Sequence, residues 1–267
     1  MSIPTPIILD IETAPKRPEL LHAAGWKPSR SFRPKGENES DAEYWLDWHN
    51  ETAQLDPSRS WACAIGLFAP TLSQSIRISW APTPEAETAA LELAFKVLAG
   101  QAEFAAGITL DPASVILIGH NILKFDLPYL AARGLAHRIS RTIPVRQVID
   151  TKVEWENRYH VRGAASSSLD CIARHLGLPT KPGAGKDFWT YDRERQQEYL
   201  QHDLVICYQI ASLLGVIPEA PPAAAEAERV MNDFVEADVL TEPLLDKTPA
   251  LEEEGPEPDK RRPHRRR

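Results

Sequence analysis

The chain has 267 residues, enough for one large domain or two small ones. Hydrophobic residues make up 43% and charged residues 25%, an ordinary soluble globular balance, and no apolar run approaches the roughly twenty residues of a membrane span. Of the formal net charge of −8, thirteen acidic against eight basic side chains put −5 in residues 218–267 and leave −3 for residues 1–217; bound cations can supply positive charge, so this does not exclude a phosphate-bearing substrate.

"PIILDIETAP" (6–15) opens on an aliphatic run that predicts a buried strand. Side chains alternate along a strand, so Asp10 and Glu12 share one face and Ile11 points to the other. Residues 14 to 58 then read as a long irregular insertion rich in Pro and Trp, with a helix expected over 41–55. "SWACAIGLFAP" (60–70) and "SQSIRISWAP" (73–82) predict a hairpin turning near Pro70–Leu72.

Thr83-Pro84 predicts a capped helix with Leu91, Phe95 and Leu98 as its apolar stripe and Gly100 as its stop. "SVILIGHN" (114–121) reads as a buried strand ending at Gly119, and "KFDLPYLAARG" (124–134) as a helix ending at Gly134. Ser167 and Asp170 resemble a capping box ahead of a helix through Leu176, closed by Gly177-Leu178-Pro179. A last helix is expected from about Asp192 to Leu214. Strands with helices interleaved predict an α/β domain with helices on a mixed sheet, over residues 1–217.

From 218 onward the composition turns to Pro, Ala and Glu without apolar periodicity, which predicts a disordered tail. Within it, 231–245 suits either a solvated chain or a short peptide for a protein partner. The terminal "KRRPHRRR" suits nucleic acid, an address signal or mere solubility. Cys63, Cys171 and Cys207 are odd in number and far apart, as expected of reduced thiols in the cytoplasm, and the first residues lack the pattern of a secretory leader.

Burying two carboxylates side by side is costly unless something positive lies between them. Asp-x-Glu recurs at Asp41/Glu43 and Asp192/Glu194, but those pairs suit first helical turns; only Asp10/Glu12 follow an aliphatic strand. Asp126 sits at a predicted helix start, where the helix dipole alone would favour it. Asn121 lies just past a strand's C-terminal end, where α/β sheets place site residues. Tyr199 and Asp203, four apart, share a helix face that continues through Ile206, Ile210 and Leu213. Four awkward acids from three elements suit hard divalent cations, and in-line phosphodiester cleavage is the chemistry that uses two of them.

In this order, "LDIET", "GHNILKFDLPYL" and "YLQHD" resemble the DEDD superfamily of metal-dependent 3′–5′ exonucleases, which share a ribonuclease H-like fold. The resemblance spans about residues 6 to 214. Its last motif matches the tyrosine branch; the histidine branch would need His where Glu198 stands. "SLDCIARHLGLPTKPGAGKDF" (168–188) is similar to the segment between the second and third motifs in the proofreading exonuclease domain of family B DNA polymerases.

The resemblance implies that Asp10, Glu12, Asp126 and Asp203 ligate two Mg²⁺ or Mn²⁺ ions and that Tyr199 positions the attacking water. It further implies that Asn121, Phe125 and Ile11 contact the terminal nucleotide. The implied partner is a single-stranded DNA 3′ end, with RNA as the alternative, and no membrane. A non-catalytic binding module on the same fold is the rival reading.

Other residues stay open. Trp26, Trp45 and Trp48 suit base stacking or a packed insertion; Lys124, Lys181, Lys186, Arg158 and Arg162 suit phosphate contacts or solvated surface. His120, His175 and His202 lack the spacing of a zinc site.

Overall fold

An aliphatic run can be buried on both faces only at the centre of a sheet, and Ile7, Ile8 and Leu9 take that place. The computed structural model describes residues 4–17, 21, 25, 39–72, 75–139, 143–159, 166–181, 183 and 185–217. In it β1 (Thr5–Pro15) runs antiparallel to β2 (Ser60–Ala69), which pairs antiparallel with β3 (Ser75–Trp80) as the expected hairpin. A short ribbon, β4 (Glu103–Ala105) with β5 (Ile108–Thr109), stands apart from the main sheet. β6 (Val115–Gly119) and β7 (Gln147–Asp150) extend that sheet in parallel on the other side of β1. The order β3-β2-β1-β6-β7, mixed and flanked by helices, is that expected of a ribonuclease H-like α/β fold.

Alternation along β1 divides the core. Ile7, Leu9 and Ile11 pack with Leu91, Phe95 and Leu98 of α2 (Glu87–Leu98) and with Tyr129 and Leu130 of α3 (Asp126–Ala136). Ile8, on the opposite face, packs with Phe68, Ile78 and Ile118, with α5 (Leu169–His175), and with Leu200, Leu204 and Ile210 of α6 (Arg193–Leu213). Among the described residues no helix is long and apolar enough to cross a membrane.

Several expected boundaries shift for identifiable reasons. The strand continues through Pro15, so the irregular segment starts after it, and α1 (Asp41–Thr52) gives way to a 3₁₀ turn over Ala53–Leu55. Ser40 and Glu43 form a capping box at the start of α1, which gives the second Asp-x-Glu pair a structural role. Trp45 and Trp48 pack together with Leu21, and the Arg59 guanidinium lies 4.2 Å from the Trp48 ring centroid, so both rings belong to a packed insertion. Trp26 lies outside the described residues.

Pro84–Ala86 form a 3₁₀ turn before α2, and the Thr83 side chain makes no capping hydrogen bond. Gly134 does not end α3: the helix runs on to Ala136, and an added Cβ at Gly134 would come within 3.2 Å of the Phe95 ring, so this glycine serves close packing. The cap of α5 is Ser168, whose hydroxyl accepts from Cys171 N–H, rather than Ser167. β7 and α4 (Thr151–Tyr159) were not expected: four residues with one buried end carry no periodicity. The tail from 218 to 267 lies outside the described residues.

Candidate metal centre

β1 reaches further than its neighbour. Its parallel pairing with β6 ends at Ile8↔Ile118, so its edge beyond Ile8 lies open on that side. The chain fills the opening with a carboxylate: Asp126, the first residue of α3, accepts the Ile11 N–H at 3.1 Å through Oδ1.

What brings Asp126 there is the turn after β6. Gly119 is required at the strand end, because a Cβ would meet Ile122 at 2.7 Å and the Leu9 carbonyl at 2.9 Å. Asn121 then takes a left-handed φ of 64°. The turn is held by Asp150, a buried carboxylate that sequence reading did not single out. Asp150 accepts from the N–H groups of Asn121 (2.9 Å) and Leu123 (3.1 Å), and also from Lys152 (3.0 Å) and Val153 (3.3 Å) at the start of α4.

The other side of the centre is built by α6. Asp192 caps it, accepting from Arg195 N–H at 2.9 Å. Close approach to the sheet depends on Gly66, directly opposite Asp10 in the β1–β2 register. A Cβ at Gly66 would meet Leu204 Cδ1 at 2.9 Å and Leu200 Cγ at 3.1 Å. With the helix seated there, Tyr199 and Asp203 are 1% and 5% exposed.

Carboxylate oxygens of Asp10, Glu12 and Asp203 lie within 4.8 Å of one another. Asp10 Oδ2, Asp203 Oδ1 and the Tyr199 hydroxyl are buried without a hydrogen-bond partner. An all-oxygen donor set with unpartnered buried atoms fits a hard divalent cation. Asp126 stands outside this triad with one oxygen already engaged by Ile11.

A lysine that sequence reading left among surface candidates meets the triad. Lys181 Nζ donates to Asp203 Oδ2 at 3.0 Å and lies 4.9 Å from the Tyr199 ring centroid. Burial acts to lower its pKa, but Asp203, Asp10 and Glu12 outweigh that and hold it above the usual lysine value. The carboxyls themselves are pushed up. Burial and repulsion from Asp126 and Asp203 raise Asp10 well above the ordinary range, and burial with repulsion from Asp10 and Asp203 does the same for Glu12. Burial raises Asp203 despite Lys181. Asp126, chiefly through burial, is pushed up to about 7. The Tyr199 phenol is driven far up by burial and then by Asp203 and Glu12.

The three residues expected at the nucleotide sit in three settings. Ile11 turns its side chain into the opposite core, and its N–H reaches Asp126. Phe125 is half-buried with its ring 5.6 Å from that of Tyr129, and Asn121 is half-buried in the turn. Arg158 is used within the fold, donating to the Leu214 carbonyl and to Glu154. Lys124 is exposed. Arg162 and the Lys186 side chain lie outside the described residues.

His120 bonds Thr151 Oγ1 and the Ser167 carbonyl, each at 3.0 Å, His175 packs on Trp155, and His202 is buried. Among the described residues no histidine or cysteine joins a metal-competent group.

No protein-family profile matches the sequence, and no curated protein matches it. Among solved structures, the chain is similar to the family B DNA polymerase from the hyperthermophilic archaeon Pyrobaculum calidifontis, at 14% identity and a TM-score of 0.50. The likeness covers 86% of this chain and 27% of the polymerase chain, and at that identity it speaks to the fold.

Proposed function

We propose that the chain is a divalent-cation-dependent 3′–5′ exonuclease of the DEDD superfamily, in its tyrosine branch. It would hydrolyse the terminal phosphodiester bond of a single-stranded 3′ end, DNA in preference to RNA, and release nucleoside monophosphates. The observation that carries this reading is the triad of Asp10, Glu12 and Asp203 within 4.8 Å, with Asp203 buried and Asp10 half-buried, unpartnered oxygens on both, and an unpartnered buried hydroxyl on Tyr199. The fold likeness to part of a family B polymerase agrees with it.

Two Mg²⁺ or Mn²⁺ ions at such a centre supply the positive charge that in-line attack of water on a phosphodiester needs. In this reading Asp10, Glu12 and Asp203 hold one ion, and Asp126, near Asp10, contributes to the second. Tyr199 remains a neutral phenol and orients the attacking water by a hydrogen bond rather than by taking its proton. Gly185 leaves the hydroxyl its room: a Cβ there would come within 3.2 Å of it. Asn121 and Phe125, on the turn leading to Asp126, meet the terminal nucleotide. Residues 1–217 would form the catalytic domain, and 218–267 a tail that suits either a solvated chain or contact with a protein or nucleic-acid partner.

The test uses 5′-labelled single-stranded DNA and RNA of one sequence, incubated with Mg²⁺, Mn²⁺ or EDTA, for the wild type and Asp203→Asn. A metal-dependent ladder shortening from the 3′ end and lost in the variant supports the reading; the faster ladder names the substrate. Intact strands with every metal, together with DNA binding, would establish the non-catalytic module instead.

A further inference from the structure

We propose that Lys181 is a displaceable internal counter-ion: it neutralises the carboxylate triad of the metal-free protein, and a divalent cation must expel it to bind. This rests on the reading of the triad as a metal centre and adds a competitor built into the chain.

Three observations carry it. First, the ammonium stands where a cation belongs, 3.0 Å from Asp203 Oδ2, and its charge acts on Asp10 and Glu12 as well. Second, it satisfies the cluster only in part. Asp203 Oδ1 and Asp10 Oδ2 keep no partner, so one positive charge at one oxygen leaves unmet the demand that a divalent ion would meet. Third, Lys181 is free to leave without unfolding an element. It lies between Gly177, which follows α5 at a φ of 70°, and the 3₁₀ turn over Gly185–Thr190, outside any helix or strand. A flexible four-carbon stem carries the charge, which suits a compact cation that detaches.

The energetic consequence is a competition. The metal-competent state is the fraction with Lys181 withdrawn, and the apparent metal affinity is reduced by that fraction. Removing the ammonium removes the competitor and also the positive charge that a metal ion would approach.

The experiment measures Mn²⁺ binding to the full chain by electron paramagnetic resonance for the wild type, Lys181→Met, Lys181→Arg and Asp203→Asn. Lys181→Met is expected to bind Mn²⁺ about tenfold tighter or more, Lys181→Arg close to wild type, and Asp203→Asn much more weakly. A second measurement needs no variant. Amine labelling of wild-type Lys181, read by mass spectrometry, is expected to be low in EDTA and to rise several-fold with Mn²⁺. Lys96 on α2, half-exposed and paired with Glu92, should label equally in both. If Mn²⁺ binds and depends on Asp203, yet Lys181 labelling stays constant and Lys181→Met binds no tighter, the counter-ion is overturned and the metal centre stands. If Mn²⁺ binds none of the forms, or binds regardless of Asp203, both fall.

Discussion

Raised carboxyl pKa values make the metal-free protein sensitive to base rather than acid. Asp126, pushed up to about 7, binds a proton in the folded state that the unfolded chain has released by about pH 5, and burial shifts Asp10 and Glu12 in the same direction. The folded state therefore holds more protons between the ordinary carboxylate range and about 7, and its stability falls as pH rises through that window. Lys181, held above the usual lysine value, stays charged throughout. In EDTA the melting temperature is expected to drop from about pH 5 to pH 8, and Mn²⁺ at the higher pH should restore it. A melting temperature that climbs over the same range would contradict the assignment.

Tyr199 gives a cleaner separation of chemistry from folding. Its hydroxyl has no partner, so Tyr199→Phe should change stability by no more than about 1 kcal/mol. The same change should slow turnover by about a hundredfold, with Mn²⁺ affinity preserved. Equal loss of stability and turnover would make the hydroxyl structural.

The elements that build the centre differ in how far the sequence reveals them. β1 is legible as a continuous aliphatic run and α6 as a long helical pattern, and in both charged groups break the apolar pattern, at Asp10, Glu12 and Asp203. Asp150 is not legible: it ends a four-residue strand, and its value lies in four backbone N–H groups from two segments, which no local pattern encodes. Lys181 is hidden for the same reason, since its partner is twenty-two residues away across a loop.

Two substitutions test the supports. Gly66→Val places a branched side chain against Leu200 and Leu204 and should cost about 1–3 kcal/mol while pushing α6 from β1, so Mn²⁺ affinity falls along with urea resistance. Asp150→Ala leaves part-buried N–H groups without their acceptor and should cost about 1–3 kcal/mol by urea unfolding, with Asp150→Asn losing less because it keeps one acceptor oxygen.

At the scale of the molecule, the fold brings distant sequence to one end of the sheet's central strand. Residues 10, 12, 126, 181 and 203 come from β1, the start of α3, a loop and α6, and the strand order β3-β2-β1-β6-β7 sets the open end of β1 among them. Among the described residues the core clusters draw on 7–217, and a chain cut after Ile217 is expected to melt within a few degrees of the full chain and to keep its Mn²⁺ affinity. A large drop in melting temperature would give residues 218–267 a part in the fold.

The most direct test of the metal centre is the anomalous difference map of a crystal grown with Mn²⁺. The expected result is a peak bounded by Asp10, Glu12 and Asp203, a second beside Asp126, and Lys181 withdrawn from Asp203. A map without peaks at these carboxylates, with Lys181 still bonded to Asp203, would contradict it.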